Sequence, residues 1–132
     1  MSDFIVVCAL LVAATTATAA PAYLKCTASS NVETEGFAVA LDEQILKITH
    51  TDKSGTTYSA QGLFTIDKIA YQTVELIGPV SLTRKYEIDR TDLAVASIAC
   101  AEPVEPYPDP NNMRCISFLG KCEIVKTPKR KI

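Results

Sequence analysis

The sequence predicts an all-β fold: a small antiparallel barrel or sandwich of seven to nine short strands, stapled by two disulfides. Three observations predict it. Residues alternate in character with a period of two over much of the chain, most clearly from Val80 to Ile88. Turn chemistry recurs about every ten residues, as sandwiches and barrels require. Four cysteines, Cys26, Cys100, Cys115 and Cys122, remain once the N-terminal apolar segment is set aside, and an even count in a short chain reads as a disulfide framework.

The organising stretch is Val80 to Cys100, a β-hairpin. Val80, Leu82, Arg84, Tyr86 and Ile88 share one parity, and Ser81, Thr83, Lys85 and Glu87 the other. Asp89-Arg90-Thr91-Asp92 supplies the turn, and Leu93 to Cys100 runs back. Upstream, Leu24, Cys26 and Ala28 mark a first strand, and Ser29 to Gly36 a polar loop. Phe37, Val39 and Leu41 mark a second strand, Asp42-Glu43-Gln44 a turn, and Leu46, Ile48 and His50 a third strand. Asp52-Lys53-Ser54-Gly55 is the strongest turn signal. Tyr58, Ala60, Gly62 and Phe64 share a face of a fourth strand, with Gly62 marking a bend or bulge. Asp67-Lys68 turns the chain, and Ile69 to Ile77 is a fifth strand ended by Gly78-Pro79. Pro103, Pro106, Pro108 and Pro110 make 102–112 a loop, since proline lacks a backbone donor. Met113 to Phe118 and Cys122 to Lys126 are expected to pair as a closing hairpin around Leu119-Gly120-Lys121.

The domain boundaries follow. Phe4 to Ala14 is an apolar run too short to span a bilayer, followed by the A-x-A pattern Ala17-Thr18-Ala19, so 1–19 reads as a signal peptide that carries Cys8 away. Its start, Met1-Ser2-Asp3, departs from the pattern in having no Lys or Arg. Residues 20–126 form a single β domain, and 127–132 a basic tail. The protein is expected to be exported, periplasmic or secreted, with no transmembrane segment. The net charge of −2 hides an asymmetry: from Arg114 onward six cations face one acid. Lys126, Lys129, Arg130 and Lys131 could hold an anionic envelope surface, although a solvated tail is the plainer reading. No aromatic is interleaved with them, so nucleic acid is not an expected partner.

The chemistry-bearing motifs point away from catalysis. There is no G-x-S-x-G and no Cys-His pattern, the glycines form no phosphate loop, and the carboxylates are scattered over turns. No tight Cys or His pair suits a metal, and no cofactor is implied. Four residues are candidates for binding: Arg84, Tyr86, His50 and Ser54. Arg84 is the oddest, because the pleat aims it inward, where a guanidinium needs an acid. Glu75 on the adjacent strand is one candidate partner. Arg84 is either an anion-binding residue in a ligand cavity or, the plainer reading, an arginine snorkelling at the strand's start. His50 is expected to be a strand-end or surface histidine rather than a catalytic one.

Tyr23-Leu24-Lys25-Cys26, the run Tyr86 to Leu93, Gly120-Lys121-Cys122 and the closing Lys129-Arg130-Lys131-Ile132 together resemble small exported bacterial proteins of unassigned function. That resemblance implies location and architecture, and a recurrent bridge between the early and late cysteines, Cys26 and Cys122. Tyr23-x-x-Cys26 and Ser54-Gly55-Thr56-Thr57-Tyr58 are also similar to the periplasmic inhibitors of C-type lysozyme, in which Ser54 would be the loop residue reaching into the lysozyme cleft. The chain departs from that family in having no Trp and no glycine several residues before the last cysteine.

Of three cysteine pairings, topology favours Cys26–Cys122 with Cys100–Cys115. A nearly closed sheet sets the first and last strands side by side, and the second bridge ties the base of the Pro-rich loop. The rival is Cys26–Cys100 with Cys115–Cys122. The expected function is that of an exported, non-enzymatic β domain that binds or associates with the envelope. The alternatives are an inhibitor of C-type lysozyme and, if the barrel has an open mouth near Arg84, a small-ligand carrier.

Overall fold

The computed structural model describes residues 22–103 and 113–126. The signal-peptide reading of 1–19, most of the Pro-rich loop and the basic tail after Lys126 lie outside the described residues. Within them there are nine strands and no helix: β1 (Ala22–Ser29), β2 (Thr34–Asp42), β3 (Lys47–Asp52), β4 (Thr57–Gln61), β5 (Leu63–Phe64), β6 (Lys68–Ile77), β7 (Val80–Asp89), β8 (Ala94–Pro103) and β9 (Arg114–Val125). They form one antiparallel sheet in the order β4-β3-β2-β1-β9-β8-β7-β6-β5. The sheet coils until β4 comes back against β6, a nearly closed barrel.

The core follows the expected parity. Leu24, Cys26 and Ala28 of β1, Phe37, Val39 and Leu41 of β2, Ile48 of β3, Ile69 and Tyr71 of β6, Tyr86 and Ile88 of β7, Val95 of β8 and Phe118 of β9 fill the interior. Side chains between them face out, because the pleat turns alternate residues to opposite faces. The turns carry the expected aspartates. Asp52 Oδ1 accepts from the Ser54 and Thr56 amides, both at 3.0 Å. Asp89 Oδ1 accepts from the Thr91 amide at 2.7 Å, and Asp92 Oδ1 from the Ala94 amide at 2.9 Å. Gly62 breaks the edge between β4 and β5. A Cβ there would stand 2.6 Å from Ile48 Cδ1 and 2.7 Å from Phe64 Cε1.

Cys26 pairs with Cys122 between β1 and β9, and Cys100 with Cys115 between β8 and β9. Both bridges join residues directly opposite in the ladder. The first lies on the inner face and the second on the outer. Disulfides of this kind form in oxidising compartments. No described helix is long and apolar enough to cross a membrane.

Several expectations are corrected. The closing hairpin does not exist: β9 is one strand of twelve residues, held on both sides by β1 and β8. Gly120 is a site of close strand approach, not a turn. The polar loop is shorter than expected, since β2 begins at Thr34 and pairs with β1 from there. β8 runs through Glu102 and Pro103, which pair with Ser81 and Val80, so the Pro-rich loop starts later. Leu46 and Leu93, expected to open strands, instead hold left-handed backbones with φ of 54° and 62°. Tertiary hydrogen bonds hold both: the Gly62 amide donates to Leu46 O at 2.7 Å, and the Cys122 amide to Leu93 O at 2.8 Å.

An arginine ties each end of the barrel. At one end Arg90, on the β7–β8 turn, donates to Glu43 Oε1 at 2.8 Å and to Thr65 O at 2.9 Å. That joins three turns. At the other end Arg84 meets Glu35 across the interior.

Candidate functional site

The Arg84 end of the barrel is open. A cavity of about 290 Å³ is lined by the start of β2, the end of β3 with its turn, Tyr58 of β4, and the facing ends of β6 and β7. All four sequence candidates line it: Arg84, Tyr86, His50 and Ser54. They come together because β3 and β7 lie on opposite sides of the coiled sheet and both aim these side chains inward, with Ser54 on the turn at the rim.

Arg84 faces inward as the parity implied, but its partner is not Glu75. Arg84 Nη1 donates to Glu35 Oε2 at 2.6 Å. Glu75 instead accepts from the Tyr58 hydroxyl at 3.3 Å, bridging β6 to β4 where no ladder joins them. The reason is curvature: Glu75 is held along the wall of β6, whereas Glu35 reaches Arg84 from across the lumen. Both side chains of the ion pair are largely withdrawn from water, at 32% and 21% exposure, so Arg84 is no snorkelling residue. Burial works against its charge, yet the neighbouring Glu35 and Tyr86 outweigh that and raise its pKa.

Glu35 is the residue that sequence reasoning missed. It falls in the stretch read as loop, yet it has the parity of Phe37, Val39 and Leu41 and so faces inward. Extending the alternation two residues upstream would have placed an inward acid opposite an inward arginine. Its second oxygen, Oε1, is shielded from solvent and has no hydrogen-bond partner.

His50 is another correction. It is neither at a strand end nor on the surface: β3 continues to Asp52, and His50 is only 3% exposed. Its Nδ1 lies 2.8 Å from the Tyr71 hydroxyl. Its ring stacks on Phe37 at 4.8 Å and lies 4.8 Å from Tyr86, while Tyr71 and Tyr86 stack on each other at 4.8 Å. This aromatic floor closes the cavity from below. Burial lowers the His50 pKa from 6.5 to about 4, with Asp52 opposing and Arg84 reinforcing, so the imidazole is neutral at pH 7. Burial, with Glu35 adding and Arg84 opposing, pushes Tyr86 up to about 12. Burial also raises Tyr71, so both phenols stay protonated.

The sign of the His50 shift sets a pH dependence. Between pH 6.5 and about 4 the unfolded chain takes a proton that the folded chain refuses, so stability falls as pH drops through that window. The expected loss is on the order of 2–3 kcal/mol. Asp52 is held low chiefly by the Ser54 hydroxyl and Asp89 chiefly by the Thr91 amide, so their contributions are lost only at lower pH. Urea midpoints measured from pH 7 to pH 4 should show the fall, and His50→Gln should flatten it. An equal slope in that variant would assign the effect elsewhere.

Chemically, the site can bind but has no evident reacting pair. Among the described residues, the only side chain hydrogen-bonded to His50 is the Tyr71 phenol, and the Ser54 hydroxyl donates to Asp52 Oδ1 at 2.6 Å. Among the described residues no group of three or more His, Cys, Asp or Glu is placed to hold a metal ion. Fold and site together define a small disulfide-stapled β-barrel with an open, aromatic-floored mouth. Comparison with protein-family models, with curated proteins and with solved structures finds no match to this chain.

Proposed function

We propose that this protein is an exported, non-enzymatic β-barrel that binds a small molecule in its open mouth. The observation that carries the reading is the cavity of about 290 Å³ over a floor of Phe37, His50 and Tyr86, with charged groups confined to its walls and rim. A concave, aromatic-lined site with a few placed polar groups is the usual form of a small-ligand site. The signal-like segment at 1–19 and the two disulfides support export. The neutral, phenol-bonded His50 and the turn-bound Ser54 support a binding role over a catalytic one.

The test is a fragment screen by NMR on the purified protein, with anionic, cationic and neutral members. Binders should shift the ring resonances of Phe37, His50 and Tyr86. Leu82→Trp, which fills the rim, should abolish those shifts while leaving the fold intact. The reading fails if no fragment shifts these rings, or if Leu82→Trp leaves binding unchanged.

A second reading, inhibition of C-type lysozyme, is favoured by one observation: Ser54 sits exposed on the turn at the cavity rim, as the resemblance to those inhibitors requires. Mixing the purified protein with lysozyme and following cell-wall lysis tests it, and protection lost on Ser54→Ala would support it.

A further inference from the structure

We infer that the barrel mouth takes a small uncharged molecule, a hydroxyl group on a compact apolar body, which hydrogen-bonds to His50 and Thr73. This rests on the reading of the mouth as a small-ligand site and assigns the class of ligand.

The charges of the mouth are already matched. Arg84 is bound to Glu35 at 2.6 Å, so neither is free for an ion from solution. The Asp52 carboxylate accepts from the Ser54 hydroxyl and from the Ser54 and Thr56 amides within its own turn. Lys53 and Glu75, of opposite sign, stand exposed at the rim, where water screens both. Glu35 Oε1 has no hydrogen-bond partner, but it is sealed from solvent and so lies out of a ligand's reach. A charged ligand would give up its hydration for a site with no unmatched opposite charge. An uncharged ligand does not meet that cost.

What the mouth offers instead is a pair of uncharged hydrogen-bonding groups set deep in its walls. His50 is 3% exposed and Thr73 8%, and both line the cavity. His50 uses Nδ1 on the Tyr71 hydroxyl, and among the described residues neither its Nε2 nor the Thr73 hydroxyl has a hydrogen-bond partner. Glu35 Oε1 is the only side-chain polar atom of the buried and half-buried described residues that is both unpartnered and sealed from solvent, so Nε2 and Thr73 Oγ1 are reached by solvent. Both residues are more than nine-tenths buried, so the cavity they line is the way in. Burial keeps the imidazole neutral at pH 7. The Thr73 hydroxyl can donate or accept, and Nε2 does one or the other according to the tautomer. A ligand hydroxyl is itself donor and acceptor, so it suits both and restores the bonds these groups otherwise make to water. Phe37, Tyr58 and Leu82 line the same cavity and supply the surface for the apolar body. The volume of about 290 Å³ accommodates a single substituted ring, not a polymer segment.

The experiment titrates the purified protein with three probes of one shape, benzyl alcohol, benzylammonium and benzoate, and with ethylbenzene as the probe that lacks a polar group. Calorimetry gives the affinities, and the ring resonances of Phe37, His50 and Tyr86 report the place. Benzyl alcohol should bind more tightly than either charged probe by about tenfold or more. Thr73→Val, which keeps the side chain's shape and removes its hydroxyl, should weaken the alcohol by about threefold or more without weakening ethylbenzene. A purely structural role for Thr73 would move both probes together. His50→Phe keeps a ring in the floor and should act the same way; Thr73→Val, the smaller change, decides the matter if His50→Phe does not fold. If benzylammonium or benzoate binds in the mouth as tightly as the alcohol, or in its place, the ligand class is wrong while the small-ligand reading stands. If Thr73→Val leaves the alcohol's affinity unchanged, or lowers that of ethylbenzene equally, the buried polar groups are not its partners and the inference falls. If none of the four probes, and no member of the wider fragment screen, shifts the rings, both readings fall together.

Discussion

Gly120→Ala is expected to lose about 3–5 kcal/mol of stability, and Gly120→Val to show no cooperative unfolding transition. Gly120 lies in the middle of β9, opposite Ala28 of β1 on one side and Val95 of β8 on the other. A Cβ at this position would overlap the Thr27 carbonyl oxygen and stand 2.6 Å from Ala28 Cα. Those are backbone atoms of a strand paired on both sides, so they cannot move aside as a flexible side chain would. Relief would require pulling β1 from β9, breaking ladder hydrogen bonds next to the Cys26–Cys122 bridge. Gly36 is the matched control. It also lies in a strand paired with β1, but a Cβ there would meet only the Cys26 carbonyl oxygen at 3.9 Å, an ordinary contact. Gly36→Ala should therefore stay within about 1 kcal/mol of the parent. Urea unfolding of both variants checks the pair, and equal midpoints would show that close strand approach at Gly120 is not what the fold requires.

The second large effect belongs to the Cys26–Cys122 bridge. The double replacement Cys26→Ala/Cys122→Ala should cost about 4–5 kcal/mol, and Cys100→Ala/Cys115→Ala about 3 kcal/mol, from the loops they close, with separations of 96 and 15 residues. Burial widens the difference. Cys26 and Cys122 are 1% and 7% exposed within the core, so truncating them also leaves a void against neighbouring side chains. Cys115 is exposed on the outer face, where truncation leaves none. Denaturation of the two variants should give that order of midpoints. Mild reduction should open Cys100–Cys115 first, because only its sulfurs lie near solvent. Mass mapping of alkylated cysteines would read the order, and prior loss of Cys26–Cys122 would contradict it.

The bridges and Gly120 concern one piece of architecture. β1 and β9, the first and last strands, sit side by side at the centre of the sheet. The other junction, between β4 and β6, has no ladder and is spanned by the Tyr58 to Glu75 hydrogen bond, while behind it His50 of β3 reaches across the interior to Tyr71 of β6. The mouth lies beside this looser junction, so the covalent staples hold the wall opposite the mouth and leave its rim to weaker contacts.

What the sequence alone determined is what depends on near neighbours in the chain. Alternation from Val80 to Ile88 placed Arg84, Tyr86 and Ile88 on the inner face, because the pleat acts between residues i and i+2. Asp52, Asp89 and Asp92 marked their turns because each carboxylate captures amides two to four residues on. The sequence favoured Cys26–Cys122 with Cys100–Cys115 over its rival, because a nearly closed sheet sets the first and last strands side by side, and the ladder between β1 and β9 bears that out. Only the tertiary structure decided the rest. Glu35 reaches Arg84 over a separation of 49 residues, from a strand that is not its neighbour in the sheet. His50 is buried because Phe37, Tyr71 and Tyr86 converge on it from three other strands. Gly120, with the local signature of a turn, lies inside a continuous strand because β1 and β8 clamp it from both sides. Each of these outcomes follows from coiling the sheet, which brings together residues far apart in the chain, and no local period encodes how tightly a sheet coils.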